Sequence, residues 1–163
     1  MKKYVDVDVF GRCSNASICR QPNASAHCLT LQFNTYKFYL SFENSICKDY
    51  ITEKLFRVFL PNINVIPVTR GGADYARNIP EGTYVDANKF NTAKDLALYL
   101  KSMSTDVERY SEMLRAKDQY RLVNRPNVYC TVCNKLRNAR LKPKVYDIKD
   151  WLERQCRNPN SFT

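Results

Sequence analysis

The stretch YKFYLSFENSICKDYITEKLF, Tyr36–Phe56, runs from a strand into a helix, and its reading decides the fold. Tyr36 to Glu43 is rich in aromatics and reads as a strand. The helix that follows sets Ile51, Leu55, Val58 and Phe59 on one face, a spacing that suits packing on a sheet. Asp49 is placed to cap its free N–H groups. Polar residues crowd the junction: Glu43, Asn44, Tyr50, Glu53 and Lys54. In open α/β sheets ligands sit beyond the carboxyl ends of strands, where helix N-termini point. Such a terminus carries about half a positive charge and unpaired N–H groups, which suit a phosphate. Lys54 adds a full charge, Glu53 suits sugar hydroxyls as an acceptor, and Asn44 and Tyr50 can donate to phosphate or sugar oxygens. Together they fit a nucleotide sugar; the competing reading is a capped helix with solvated charges.

The rest of the chain supports the same class. YVDVDVF, Tyr4–Phe10, alternates with period 2 and reads as a strand. NVIPV, Asn64–Val68, is nearly all apolar, as a strand buried in parallel pairing requires. Arg70-Gly71-Gly72 turns the chain, and Thr83 to Asp86 is a short extended piece. Thr92-x-x-Asp95 opens a helix that buries Leu96, Ala97, Leu100 and Met103. Thr105-x-x-Glu108 opens another, with Val107, Tyr110 and Leu114 on its inner face. A last helix carries Ile148, Trp151, Leu152 and Cys156. Strands alternating with helices predict an α/β domain with a mostly parallel sheet.

At 163 residues the chain suits one domain, and 44% hydrophobic residues supply a core, which excludes disorder. The formal charge of +10 implies an anionic partner or surface. It is concentrated: from Arg115 onward there are 12 Lys/Arg against 4 Asp/Glu, and 14 against 12 before it. A basic module for nucleic acid or another polyanion is therefore a second reading, although no nucleic-acid motif is recognised in that segment. The chain has 7 cysteines, and two sequons, Asn15-Ala16-Ser17 and Asn23-Ala24-Ser25, lie among them. That combination predicts an oxidising secretory compartment, N-glycans on Asn15 and Asn23, and disulfides. Cys13, Cys19, Cys28, Cys47, Cys130 and Cys133 are the candidates for bridges. Cys130-Thr-Val-Cys133 has zinc-ligand spacing, but it lacks a second such pair, and His27 is the lone histidine. Asp6-Val7-Asp8 matches a D-x-D metal motif, but strand alternation yields the same letters. No metal is predicted. No apolar run of membrane-spanning length is present, so a targeting segment is expected upstream.

FYLSFENSICKDYITEKLF closely resembles the donor-binding motif of the α1,3-fucosyltransferases, F-Y-L-x-F-E-N-S, a spacer, then D-Y-I-T-E-K-L. VDVFGRC before it, and PEGTYVDANKF, LALYL and CTVC after it, fall in the family's order. The likeness extends from about Val5 to Trp151, and the additional cysteines resemble those of invertebrate members. The resemblance implies a Rossmann-like GT-B donor-binding domain, in an enzyme that transfers L-fucose from GDP-fucose to the 3-hydroxyl of N-acetylglucosamine in glycans, with inversion. It implies donor contacts from Glu43, Asn44, Tyr50, Thr52, Glu53 and Lys54: Glu53 toward ribose, Lys54 toward the diphosphate, Glu43 shaping the pocket. No metal or other cofactor is obligatory, and GDP-fucose and a glycan acceptor are the partners. The family's HVDDF segment is DANKF here, Asp86–Phe90, which puts its local contacts in question. Residues 1–163 are expected to be the partial, N-terminally truncated C-terminal domain. The acceptor domain, the general base and a type II membrane anchor for a Golgi location would lie upstream, leaving the isolated fragment inactive.

Overall fold

The computed structural model describes residues 1–10, 30, 33–122, 128–138, 145 and 147–157. Cys13, Cys19, Cys28, Asn15, Asn23 and His27 lie outside them. Strand β1 (Phe38–Phe42) leads to a two-residue strand β2 (Ile46–Cys47) and helix α1 (Glu53–Phe56), which continues as a 3-10 turn, Arg57–Phe59. Strand β3 (Ile66–Arg70), helix α2 (Tyr75–Asn78) and strand β4 (Val85–Asp86) follow, then a 3-10 turn, Ala87–Lys89. Helices α3 (Ala93–Thr105), α4 (Val107–Asp118), α5 (Val128–Asn138) and α6 (Ile148–Gln155) precede strand β5 (Cys156–Arg157).

The main sheet has the order β1-β3-β4, and both pairings are parallel. This is the expected α/β arrangement. Central β3 is buried on both faces, which is why its sequence is an apolar run rather than an alternation. Ile66 and Val68 point into a core with Val85, Leu96 and Leu100, against which Phe38, Leu40 and Phe42 of β1 pack. The opposite core gathers Leu55, Val58, Phe59, Ile63 and Val65, with Tyr39 packed against it. Successive side chains of β1 thus serve opposite faces, as the pleat dictates.

The Thr92 signal holds. Its Oγ1 accepts from the Asp95 N–H at 3.1 Å and donates to the Asp95 carboxylate at 2.7 Å. Leu96, Ala97, Leu100 and Met103 are buried as expected. The next helix starts one residue later than predicted, because Thr105 is the last residue of α3 and Asp106 caps α4 by accepting from Arg109 N at 3.0 Å. Val107 is consequently 72% exposed rather than packed. Tyr4 to Phe10 is not a strand. Its alternation survives as burial, with Val5 and Val7 half-buried between exposed Asp6 and Asp8, but it joins no ladder among the described residues. Asp8 instead accepts a hydrogen bond from Tyr36 Oη at 2.8 Å.

The cysteine assignments need correction. Cys47 bonds Cys156, at a sequence separation of 109. Cys156, expected on the last helix and not among the bridge candidates, lies just past the end of α6 at Gln155 and pairs with Cys47 across the antiparallel β2–β5 ladder. Cys130 and Cys133 are exposed free thiols on α5. That helix is exposed throughout residues 128–137, so neither thiol is packed against a partner cysteine. Ile148 and Leu152, which the last helix was expected to carry, are on α6 and are 69% and 46% exposed.

Lys117 is 2% exposed. Its ammonium donates to the carbonyls of Val58 at 2.9 Å and Ile63 at 2.7 Å, tying α4 to the segment between α1 and β3. Burial pushes its pKa down, and the nearby Asp118 carboxylate opposes that shift. Lys117→Met keeps the length of the stem but leaves two carbonyls without their donor. It is expected to lower the unfolding free energy by about 1–3 kcal/mol for each carbonyl left unpaired. Urea denaturation checks this, and a variant as stable as its parent would show that the ammonium contributes nothing net. The disulfide constrains the unfolded chain across most of its length. Cys156→Ser is expected to cost about 2–5 kcal/mol of stability in the same measurement.

Candidate functional site

The site lies beyond the carboxyl ends of β1 and β3. The Glu43 N–H donates to the Arg70 carbonyl at 2.9 Å, which extends the parallel pairing one step and sets Glu43 beside Gly71. The Glu43 side chain is only 1% exposed. A carboxylate removed from water must be hydrogen-bonded or paired. Thr52 supplies both bonds: its N–H donates to Oε1 at 2.7 Å, and its hydroxyl donates to Oε2 at 2.7 Å. Lys54 adds the charge, with Nζ 3.6 Å from Oε2 and its side chain 23% exposed. The ammonium also reaches Thr52 Oγ1 at 3.5 Å. Lys54 is thereby held at the mouth of the site with part of its surface open to a ligand.

This geometry revises two expectations. Asp49 does not cap the helix; it takes a left-handed backbone with φ 58°, and the N-cap is Thr52. Helix α1 is four residues long, so its dipole offers little to an anion. The Thr52 N–H, one of the donors expected to face a phosphate, is already taken by Glu43. A buried carboxylate is the stronger local acceptor, and the positive charge at this junction resides on the Lys54 side chain.

Of the other predicted residues, Glu53 is exposed and lies 3.8 Å from Arg57 Nη2, one turn along. Asn44 and Tyr50 are exposed on the loop between β1 and α1, at either side of β2. That loop is clamped. The disulfide and the Lys48 N–H to Gln155 carbonyl bond at 2.8 Å hold one side. On the other side Gly72 bridges Lys48, and a Cβ at Gly72 would stand 2.5 Å from the Cys47 carbonyl oxygen, so only glycine allows this approach. The structure therefore brings Glu43, Thr52 and Lys54 into direct contact, while Asn44, Tyr50 and Glu53 are exposed on the same β1–α1 segment.

Sequence reasoning missed a second layer behind Glu43. Tyr75, the first residue of α2, is 2% exposed, and its hydroxyl is buried without a hydrogen-bond partner. Burial, with the Glu43 charge second, pushes its pKa up. A Cβ on Gly71 would collide with Tyr75 Oη and stand 3.1 Å from Glu43 Cγ, so the pair meet over a residue that must lack a side chain. The Gly71 carbonyl accepts from Asn88 Nδ2 at 3.0 Å. Asp86 caps the turn after β4 by accepting from Asn88 N at 2.9 Å. The DANKF segment thus makes its own contacts to the β3 end. Burial raises the Asp86 pKa, and the Asn88 N–H opposes this. The glycine pair was legible only as a turn, and nothing in the local pattern marked Tyr75. Among the described residues no group of three or more His, Cys, Asp or Glu is placed to hold a metal.

Residues 1–151 match the model of glycosyltransferase family 10 (fucosyltransferase), C-terminal part. The chain is similar to alpha-(1,3)-fucosyltransferase C of Drosophila melanogaster, 37% identical over 160 residues, covering 96% of this chain and 36% of the relative. Glycoprotein 3-alpha-L-fucosyltransferase A of the same fly is 38% identical over 156 residues, with 93% of this chain and 30% of the relative covered. Alpha-(1,3)-fucosyltransferase 7 of Mus musculus is 33% identical over 155 residues, 92% of this chain and 38% of the relative. The chain spans roughly a third of the length of these relatives. With a parallel sheet and a match over nearly its whole length, the chain belongs to the fucosyltransferases of glycosyltransferase family 10, as part of their C-terminal region.

Proposed function

We propose that this chain supplies the donor site of an α1,3-fucosyltransferase: it binds GDP-fucose, and L-fucose passes to the 3-hydroxyl of N-acetylglucosamine in a glycoprotein glycan. The observation that carries the reading is the Lys54 ammonium, anchored by a buried Glu43 carboxylate 3.6 Å away yet partly open at the strand ends. Transfer breaks the bond between the fucose anomeric carbon and a diphosphate oxygen, so negative charge grows on the departing GDP. A pre-positioned cation stabilises that charge without reorganising. In an inverting transfer the acceptor oxygen attacks from the opposite face and loses its proton to a general base. We do not assign that role to Glu43, whose side chain is only 1% exposed and is already held by Thr52 and Lys54. We assign the base and the acceptor site to other parts of the whole protein.

Glu53 is our ribose ligand, because its carboxylate is exposed one residue before Lys54. Asn44 and Tyr50, on the clamped loop, line the phosphate and fucose end. The Cys47–Cys156 bridge supports a lumenal, oxidising compartment, and we place the protein in the Golgi as a type II membrane enzyme. No helix among the described residues is long and apolar enough to cross a membrane, so the anchor is assigned to another segment. The polyanion-binding alternative is not supported by the relatives. Part of the C-terminal charge is also neutralised locally, as in the 2.8 Å contact between Arg154 and Asp150.

Lys54→Ala removes a charge-assisted contact to phosphate, worth about 1.5–3 kcal/mol. GDP affinity is expected to fall roughly ten- to hundredfold. Glu53→Gln keeps the shape and one acceptor oxygen, so a smaller loss is expected, and it should vanish for 2′,3′-dideoxy-GDP while the Lys54 effect persists. Calorimetry on both variants with both nucleotides checks this. If neither substitution changes affinity, the junction is only a braced turn and the donor assignment is wrong.

A further inference from the structure

Three side chains at the carboxyl edge of the sheet share one electrostatic problem. Glu43 keeps a charge almost wholly out of water, and among the described residues Lys54 is the cation paired with it, 3.6 Å away. On the donor-site reading above, on which this inference rests, Lys54 must turn to the diphosphate when the nucleotide binds. A buried carboxylate deprived of its cation is destabilised, and that loss would count against donor binding. Thr52 cannot compensate, because its N–H and hydroxyl already donate to the carboxylate. A carboxylate accepts up to about four hydrogen bonds, so Glu43 retains capacity for another donor.

The donor is adjacent. Tyr75 Oη is buried and unpartnered, an arrangement rare for native side chains. The nearby Gly71 carbonyl is occupied by Asn88 Nδ2. The phenol hydroxyl and the Glu43 side chain both border the Cβ position that Gly71 leaves empty, and Glu43 is the leading charged influence on Tyr75. A phenol with a raised pKa stays protonated and so remains a hydrogen-bond donor. Its ring is fixed within the core formed with Leu55, Val58 and Ile79, and it packs on Tyr84 at 6.1 Å.

We propose that Tyr75 is a positioning residue of the donor site: when the diphosphate draws the Lys54 ammonium away, the Tyr75 hydroxyl donates to the Glu43 carboxylate and replaces part of the stabilisation that Lys54 supplied. Tyr75 never touches the nucleotide. It makes Lys54 available to the phosphate at lower cost. Gly71 is required on this account because any Cβ there would occupy the space in which phenol and carboxylate meet.

The test uses the 163-residue chain, GDP as the probe, thermal unfolding without nucleotide, and the variants Tyr75→Phe, Lys54→Ala and the double variant. The free state gains nothing from the hydroxyl, so Tyr75→Phe is expected to unfold at the same or a higher temperature. It is expected to bind GDP about tenfold more weakly, the loss of one hydrogen bond to a charged group. In the Lys54→Ala background no cation is withdrawn on binding, and the effect of Tyr75→Phe should shrink to less than about twofold. Unchanged GDP affinity in Tyr75→Phe, with Lys54→Ala weakened, overturns this inference alone. So does an equal loss in both backgrounds, or a lowered unfolding temperature accompanying the loss, which would make Tyr75 a packing residue. If the parent chain does not bind GDP, or Lys54→Ala binds it as well as the parent, the donor-site reading fails and this inference fails with it.

Discussion

A carboxylate with a side chain 1% exposed directly follows the first strand, and the surrounding chain is arranged to satisfy it. Leaving such a charge unpaired in a low-dielectric interior is among the most destabilising things a fold can do. Glu43 must therefore meet donors, and the chain returns nine residues later to present Thr52 with both an N–H and a hydroxyl. That return dictates the path of the intervening loop, including the left-handed Asp49 and the sharp entry into a helix of only four residues. Lys54 follows two residues on, close enough to balance the charge and far enough out to reach solvent. A structural demand and a binding group thus occupy the same few residues.

The loop so formed is long and polar, and left alone it would be mobile. It is pinned from two directions. The disulfide and the short antiparallel pairing attach it to β5, while Gly72 approaches its backbone more closely than any residue with a Cβ could. Contacts between segments more than a hundred residues apart therefore set the loop that bears Asn44 and Tyr50. At the other end of the sheet Lys117 performs a related service, bonding two carbonyls that helix and strand leave unmatched. Tyr110 adds a bond from its hydroxyl to the Lys37 carbonyl at 2.9 Å. Polar side chains from α4 thus brace the sheet edge opposite the site.

Helices α5 and α6 contribute differently. Among the described residues their large apolar side chains are open, with Tyr129 81%, Leu136 72% and Ile148 69% exposed. The sequence pattern placed Ile148 and Leu152 on a helix without saying what covers them. An amphipathic pattern states that a face is suited to burial; whether anything covers it depends on what the chain folds against. The same reasoning applies to Tyr4–Phe10, where alternation produced half-buried valines but no ladder partner among the described residues.

The sequence by itself determined the elements whose stability is local or whose pattern is continuous. The apolar run at Ile66–Val68 could only be a strand covered on both faces, and Thr92 with Asp95 caps a helix with residues three apart in the chain. The Glu43-to-Lys54 motif was legible because its members lie within twelve positions and carry distinctive chemistry. The tertiary structure decided who meets whom across long separations. Register between β1 and β3 places Glu43 beside Arg70 and Gly71, and through Gly71 beside Tyr75. No periodicity encodes that, since a pleat or helical repeat reports only neighbours a few residues away. For the same reason Cys156 looked like a helix residue until the β2–β5 pairing set it opposite Cys47. The helix cap was assigned to Asp49, a good local candidate, and lost to Thr52 because a buried carboxylate from the previous strand competed for the same N–H. Local propensity proposes such contacts; desolvation of distant charged groups selects among them.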